Sequence, residues 1–213
     1  MSIVNKFMIE NKILINISRS AIILIVLFAA ISSPAKRAQE INYIEPLYPV
    51  DYSNDEVLIG ASHHVFVGKI KKQLNTINSP VGDETRFEVE ILENIKGNLK
   101  GNITLNQGGG YDEKGVLHIV DGDLIKNSED KNYLLQEGST YVLAVRSSGD
   151  FHKLNPHSNA RKLITREDNL SKAELKDLVK KDERVLRFEK AYPKEKLLDA
   201  DVKNNKTLNK YKK

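Results

Sequence analysis

The fold class follows from His64-Val-Phe-Val-Gly-Lys-Ile70, because its β-branched and aromatic side chains are typical of a strand. Gly68 within this stretch predicts a bend or the close approach of another backbone. Residues 86–91 then alternate, with apolar side chains on one face and two glutamates on the other, which predicts a half-buried strand. The alternation slips at Leu92, which predicts a bulge or a strand end.

Shorter strands are predicted further along the chain. Turn residues near 97–102 precede a third alternating segment at 103–105. Residues 140–147 form a largely apolar strand, and a tight turn leads from it to a last strand at 151–154. Short strands that bend at glycines or at a phase slip predict a small closed or nearly closed barrel over residues 56–165.

A glycine run at Gly108–Gly110 lacks the Lys-Ser or Lys-Thr pair that follows the glycines of a phosphate-binding loop. The run predicts a flexible strand exit into a long insertion at residues 111–137. Long loops of barrels commonly carry binding residues, so the insertion is one candidate place for ligand contacts.

The amino-terminal residues have the composition of an export signal. Three basic residues, Lys6, Lys12 and Arg19, lead into the uncharged apolar run Ala21–Ile31, and small residues follow it. A helix of this length spans only about 16 Å, which is roughly half of the hydrocarbon core of a bilayer. The run is therefore too short for a typical membrane-spanning helix.

The composition of the residues before the barrel predicts two segments. We predict a signal peptide at residues 1–35 that is cleaved after Ser32 or Ala35, and hence a secreted or cell-surface protein. The alternative is an uncleaved membrane anchor at residues 21–35. Residues 36–55 contain two prolines among scattered tyrosines and acids, and they are predicted to be a linker.

A helix is predicted after the barrel. Ser171 and Glu174 have the spacing of a capping box, and an apolar stripe follows them. We therefore predict one amphipathic helix within residues 166–193, ended by Pro193, and a basic disordered tail at residues 194–213. The apolar face of this helix has two alternative partners, the barrel or a membrane surface.

Charge is unevenly distributed along the chain. The net charge is +4, but residues 38–160 are acidic and residues 161–213 are basic. The barrel segment is acidic and poor in aromatic residues, so it lacks the basic, aromatic groove of a nucleic-acid binder. We expect an unknown protein or an anionic surface polymer as the partner, no nucleic acid, and a monomer. Peripheral membrane or cell-wall contact through the basic tail is a further expectation.

The chain contains no cysteine. A disulfide scaffold, a cysteine nucleophile, cysteine-ligated zinc and iron–sulfur clusters are therefore excluded. A domain of this size must then be held together by its apolar core alone.

The histidines give no pattern that defines a site. They are His63, His64, His118, His152 and His157. None forms a helical pair with the spacing of metal ligands, so we expect exposed polar residues. Asp150 and His152 share a strand face, but spacing identifies no serine to complete a triad. Asp121-Gly-Asp123 lacks the ligand ladder of a calcium loop and predicts a turn. We predict no catalytic, cofactor-binding or metal-binding residue, and no cofactor.

Four segments together resemble a known family. They are Ala61–Ile70, Phe87–Ile91, Gln107–Gly110 and Gly138–Val145. They are similar to the bacterial exported domains related to the tissue inhibitors of metalloproteases and to netrin-like modules, over residues 57–165. The resemblance implies a five-stranded OB-type barrel. The predicted fold class is thus mainly β, with a small five-stranded OB-like barrel followed by a C-terminal amphipathic α-helix.

The inhibitory mechanism of the animal proteins does not carry over. It requires an amino-terminal cysteine that chelates the zinc ion of the protease, and this chain has none. We therefore predict an exported cell-surface or extracellular binding module without catalytic activity. Two alternatives remain open: a metalloprotease-inhibitor-like protein that lacks the cysteine mechanism, and a secreted hydrolase or metal-dependent enzyme with an unrecognised site.

Overall fold

The computed structural model describes residues 40–80, 82–121, 132–148 and 151–198. These residues form a mainly β fold. The strands are β1 (Ile41–Ile44), β2 (His64–Ser79), β3 (Gly82–Lys96), β4 (Asn102–Gly108), β5 (Gly110–Tyr111), β6 (Leu117–Val120), β7 (Thr140–Ser148), β8 (Phe151–Leu154) and β9 (Arg161–Thr165). The helices are α1 (Asp55–Ala61), α2 (Lys172–Lys181) and α3 (Glu183–Ala191). The predicted signal peptide at 1–35, the alternative anchor at 21–35 and most of the predicted tail at 194–213 lie outside the described residues.

Five strands form a ring-like sheet. Strand β2 pairs antiparallel with both β3 and β7, β3 pairs antiparallel with β4, and β7 pairs antiparallel with β8. The ring closes where β4 and β8 run parallel, with Leu105 opposite His152 and Asn106 opposite Lys153. Strand β9 adds to β7 beside the ring.

The strands predicted from alternation are confirmed, with longer ends. Strand β2 begins at His64 but continues to Ser79, and β3 extends the alternating residues 86–91 in both directions. The inward side chains Phe87 and Val89 are fully buried. Two long neighbouring strands thus supply much of the apolar core.

The predicted irregularity at Leu92 is a bulge. Gly68 pairs with Ile91 and Val67 pairs with Glu93, so Leu92 is an extra residue in β3. A Cβ atom on Gly68 would lie 2.7 Å from a methyl group of Val89. The close approach predicted at this glycine is therefore to side chains rather than to a backbone.

A second, three-stranded sheet lies beside the ring. Its order is β1-β6-β5, with β1 parallel to β6 and β5 antiparallel to β6. Strand β1 falls inside residues 36–55, which the sequence predicted to be a linker. Helix α1 begins at the end of the same segment, where the Asn54 side chain accepts hydrogen bonds from the backbone N–H groups of Glu56 and Val57.

The prediction of a single C-terminal helix is wrong. The capping box at Ser171 and Glu174 is present and begins α2, but α2 ends at Lys181. Asp182 has an extended backbone, and its carboxylate accepts hydrogen bonds from the N–H groups of the next turn, so it begins α3. Among the described residues, no helix is long and apolar enough to cross a membrane.

The helices pack on the ring. Val179 of α2 and Val185 and Phe188 of α3 are buried within the same apolar cluster as the ring strands. An ion pair joins α3 to α1, with Arg187 Nη2 2.6 Å from Asp55 Oδ2. The sequence left two partners open for the apolar helix face, the barrel and a membrane surface. In the structure this face packs on the body of the protein.

Polar side chains hold the end of the insertion against the ring. Gln107 Nε2 donates to the Tyr133 carbonyl at 2.7 Å, and the Leu135 N–H donates to Gln107 Oε1 at 3.1 Å. Arg161 donates to the carbonyls of Asn132 and Tyr133. The chain therefore returns to β7 along a fixed path.

Candidate functional site

A pair of histidines, the buried His64 and the half-buried His152, lies where β2 begins. The rings of His64 and His152 are perpendicular, with centroids 5.4 Å apart. The Ser147 N–H donates to His63 Nδ1 at 2.9 Å, and Ser147 Oγ lies 3.3 Å from His152 Nδ1. His63 is 7% exposed and His64 is 1% exposed. The expectation of exposed histidines is wrong for these two, because both join the pairing of β2 with β7.

His64 is packed in the interior, whereas His152 is half-buried. Burial lowers the pKa of His64 to about 4, and the neighbouring His152 ring adds to this shift. Burial also lowers the pKa of His152, so both rings are neutral at pH 7. A Cβ atom on Gly97 would lie 2.2 Å from His64 Nδ1, and the φ angle of Gly97 is 87°. Only glycine fits there, because the His64 ring fills the space beside it.

Acid is expected to destabilise the protein through His64. The pKa is 6.5 for a free histidine and about 4 in the folded chain, so between these values the unfolded chain binds more protons. The contribution of neutral His64 to the free energy of unfolding is therefore present at pH 7, and it is lost as the pH falls below 6.5. The His64 contribution to the free energy of unfolding should fall by about 2 kcal/mol between pH 7 and pH 5. Urea denaturation at the two pH values measures this difference.

His64→Leu is the matched variant for that measurement, because it replaces the titrating imidazole with an apolar side chain that cannot bind a proton. Its absolute stability is not the readout. The difference between its values at pH 7 and pH 5 should be smaller than in the parent chain, with His152 supplying part of the remainder. An equal difference in both proteins would contradict the assignment to His64.

The remaining histidines lie elsewhere. His118 Nε2 is 3.3 Å from Asp112 Oδ2, on the β5–β6 hairpin. The His157 ring packs edge-on against Tyr48, with centroids 5.1 Å apart. The five histidines therefore do not converge on one cleft. In the described ranges, no three His, Cys, Asp or Glu side chains are placed to hold a metal ion.

Asp121 has a structural environment. It is buried, its φ angle is 64°, and its carboxylate accepts a hydrogen bond from the Ser158 N–H at 3.0 Å. Its own N–H donates to the Ile44 carbonyl at 3.0 Å. Asp123, the other acid of the predicted turn, lies outside the described residues, as does Asp150, so the shared strand face of Asp150 and His152 stays a prediction.

The glycine run of β4 and β5 is closely packed. The Gly109 N–H donates to the Asp83 carbonyl at 2.6 Å. Gly110 has a φ angle of 137°, and a Cβ atom there would lie 2.1 Å from Thr85 Oγ1. The glycines let the chain pass from the ring into the second sheet, which differs from the loose exit that the sequence suggested.

An ion pair between the buried Glu84 of β3 and the partly exposed Lys153 of β8 was not predicted from the sequence. Glu84 is 3% exposed and pairs with Lys153, and Asn106 Nδ2 donates to Glu84 Oε2 at 2.8 Å. Burial alone would raise the pKa of Glu84, but the hydrogen bonds from Lys153 and Asn106 bring it below its usual value. The Asn106 Oδ1 atom accepts no hydrogen bond from the described residues. These contacts hold β8 to the ring.

A groove of about 410 Å³ separates β3 from α2. Its apolar walls are Ile91, Leu92, Leu175 and Val179, and its rim carries two lysines and two glutamates. The bulged Leu92 is 38% exposed. The mixed rim gives no preference for the charge of a ligand.

An acidic cleft of about 420 Å³ lies between the β2–β3 and β5–β6 hairpins. Three carboxylates line it, Asp83, Asp112 and Glu113, together with Lys114 and His118. A hydrogen bond from the Val116 N–H is the main cause that lowers the pKa of Asp112, and the His118 ring adds to it. The carboxylate is thus negative at neutral pH. A surface cleft of this composition favours a cationic partner.

Comparisons of the chain with protein-family models, with curated proteins and with solved structures found no match.

Proposed function

We propose that this chain is an exported OB-type barrel that acts as a binding module at the cell surface or outside the cell, without catalytic activity. An OB-type barrel is the fold implied by the resemblance to the metalloprotease-inhibitor and netrin-like domains. The closed ring of β2, β3, β4, β8 and β7 carries this proposal. A five-stranded ring that closes between strands not adjacent in the chain supports this proposal, because OB-type barrels are five-stranded and have Greek-key order.

The chemistry of the surface supports binding. His64 of the histidine pair is packed against Gly97, whereas the acidic cleft lies at the surface and is lined by carboxylates. A surface cleft in which carboxylates outnumber basic side chains recognises a partner of opposite charge. We infer a protein partner with a basic surface.

The export part of the proposal is tested by amino-terminal sequencing. The full chain is produced with its leader in a bacterial host, and protein is recovered from the medium, the surface and the membrane. We expect the recovered protein to begin near Ser33 or Lys36. A product that begins at Met1 and stays in the membrane fraction would instead support the anchor, and a cytoplasmic product would contradict export.

The absence of catalysis is tested on the same protein. A panel of hydrolase substrates and a metal analysis are expected to give no turnover and no stoichiometric zinc. His152→Ala is the matched variant, because it removes the less buried ring of the histidine pair. Turnover that this substitution abolishes, or one zinc ion per chain, would overturn the proposal in favour of the enzyme alternative.

A further inference from the structure

The outer edge of β1 pairs with no other strand in the part of the chain that the structure describes. Within the second sheet, the Leu117 N–H donates to the Glu40 carbonyl and the Asp121 N–H donates to the Ile44 carbonyl, both at 3.0 Å. Backbone groups alternate in direction along a strand, so those of Ile41 and Tyr43 point away from β6.

The side chains on this edge are apolar and only partly covered. Ile41 lies opposite Leu117 and Tyr43 lies opposite Ile119, and residues in register share one face of the sheet. Leu117 and Ile119 are buried, but Ile41 is 41% exposed and Tyr43 is 51% exposed. The apolar face of the sheet is thus buried at β6 but remains partly exposed at β1.

Natural proteins usually protect such an edge. Lysines, prolines, bulges or a covering loop prevent pairing with another chain. Strand β1 is short, with four residues, but it has no lysine, proline or bulge between Ile41 and Ile44, and Leu47, just after it, is fully exposed. An apolar edge that no described segment covers is a surface to which an extended peptide adds as a strand.

The charges around the edge select the partner. The described residues 40–52 include the carboxylates Glu40, Glu45 and Asp51 and no basic side chain, whereas Lys36 and Arg37, just before them, lie outside the described residues. The acidic cleft adjoins the same sheet, because Asn42 Nδ2 lies 3.3 Å from His118 Nδ1. A second copy of the chain would bring its own Glu40 and Glu45 to this edge, which like-charge repulsion disfavours.

We propose that the outer edge of β1 binds an extended, basic peptide segment of a partner protein, which adds to the sheet as a fourth strand. The proposal rests on the binding function proposed above and names the class of partner. Backbone hydrogen bonds to Ile41 and Tyr43 supply affinity, and the half-covered apolar face supplies contact area. Glu40 and Glu45 favour a peptide with basic residues at its two ends.

The test uses a synthetic peptide, KVTVTVK, and the full chain. Amide hydrogen exchange followed by NMR reports on the N–H groups of Ile41 and Tyr43, and fluorescence anisotropy reports on affinity. We expect saturating peptide to slow exchange at both amides. The same peptide with N-methyl groups on alternate residues, and the acidic peptide EVTVTVE, should not bind.

Two substitutions of Tyr43 separate the contribution of its backbone N–H to peptide binding from that of its side chain. Tyr43→Pro removes an outward N–H that β6 does not use, and proline is tolerated on edge strands. Tyr43→Val keeps both the N–H and an apolar side chain. We expect Tyr43→Pro to weaken binding of KVTVTVK by about tenfold relative to Tyr43→Val, since a main-chain hydrogen bond is lost.

Three results would overturn the proposal. They are unchanged exchange at Ile41 and Tyr43 with saturating peptide, equal affinities of the Pro and Val variants, and equal binding of the acidic peptide. Protected amides in a concentration-dependent dimer without peptide would assign the edge to a second copy and also overturn it. Turnover in the hydrolase panel would refute the proposed function while leaving the peptide result intact, so the two failures are distinguishable.

Discussion

Phe188→Ala is expected to lower the free energy of unfolding by about 3–5 kcal/mol, the range for truncating a buried phenylalanine. Phe188 lies on α3, is fully buried and belongs to the same apolar cluster as the ring strands. The guanidinium carbon of Arg184 lies 5.4 Å from the centroid of its ring. Truncation therefore leaves a cavity between α3 and the body and removes a cation–π contact. Urea denaturation of the full chain measures the loss.

Leu186→Ala is the matched control, because Leu186 is on the same helix but is 50% exposed. Its expected loss is about 1 kcal/mol or less, since little apolar area leaves the core. Equal effects of the two substitutions would mean that the apolar face of α3 does not pack on the ring.

The same residues bear on membrane binding through the helix. Val185 and Phe188, which a membrane would have to receive, are 2% and 0% exposed. Insertion would require α3 to leave the body of the protein, at the cost of the buried contacts that Phe188→Ala tests. A membrane contact through this face is therefore coupled to partial unfolding.

Local patterns were enough to predict the ring strands. Alternation in β3 and the β-branched run in β2 report directly which side faces the core, because successive side chains point to opposite faces. The slip at Leu92 predicted the bulge for the same reason. The capping box at Ser171 is likewise a short-range signal, and the structure contains it.

Long-range partners were not predictable from the same patterns. Strand β1 has four residues, and its parallel partner β6 lies 76 positions later in the chain. Pro46 and Pro49 also gave its surroundings the composition of a linker. The break at Asp182 was missed because the apolar stripe continues across it, although aspartate is a good helix N-cap.

The acidic cleft shows the same limit. Asp83 and Asp112 lie on different hairpins, and only the fold of both brings their carboxylates near His118. The sequence placed possible ligand contacts in the insertion at 111–137, which contributes Asp112, Glu113 and His118 to this cleft. It gave no reason to single out Asp83, which follows the tip of the β2–β3 hairpin.

A buried ion pair should make the residues after α3 essential for stability. Lys96 of β3 pairs with Glu195, and its Nζ atom also donates to the Ile59 carbonyl at 2.7 Å. The Lys96 side chain is 5% exposed and that of Glu195 is 16% exposed. Glu195→Ala withdraws the carboxylate from a buried ammonium group, so we expect it to lower the free energy of unfolding by about 3–5 kcal/mol.

The neighbouring pair supplies the control. Lys196 Nζ lies 3.0 Å from Glu56 Oε2, but the Lys196 side chain is 59% exposed, so Lys196→Ala should cost about 1 kcal/mol or less. The double variant Lys96→Met with Glu195→Met removes both charges together and should be more stable than Glu195→Ala, because no buried charge is left without its counter-ion. Urea denaturation of the four proteins measures these differences. A loss for Glu195→Ala no larger than that for Lys196→Ala would mean that water reaches Lys96 and that this contact does not fasten the C-terminal segment to β3 and α1.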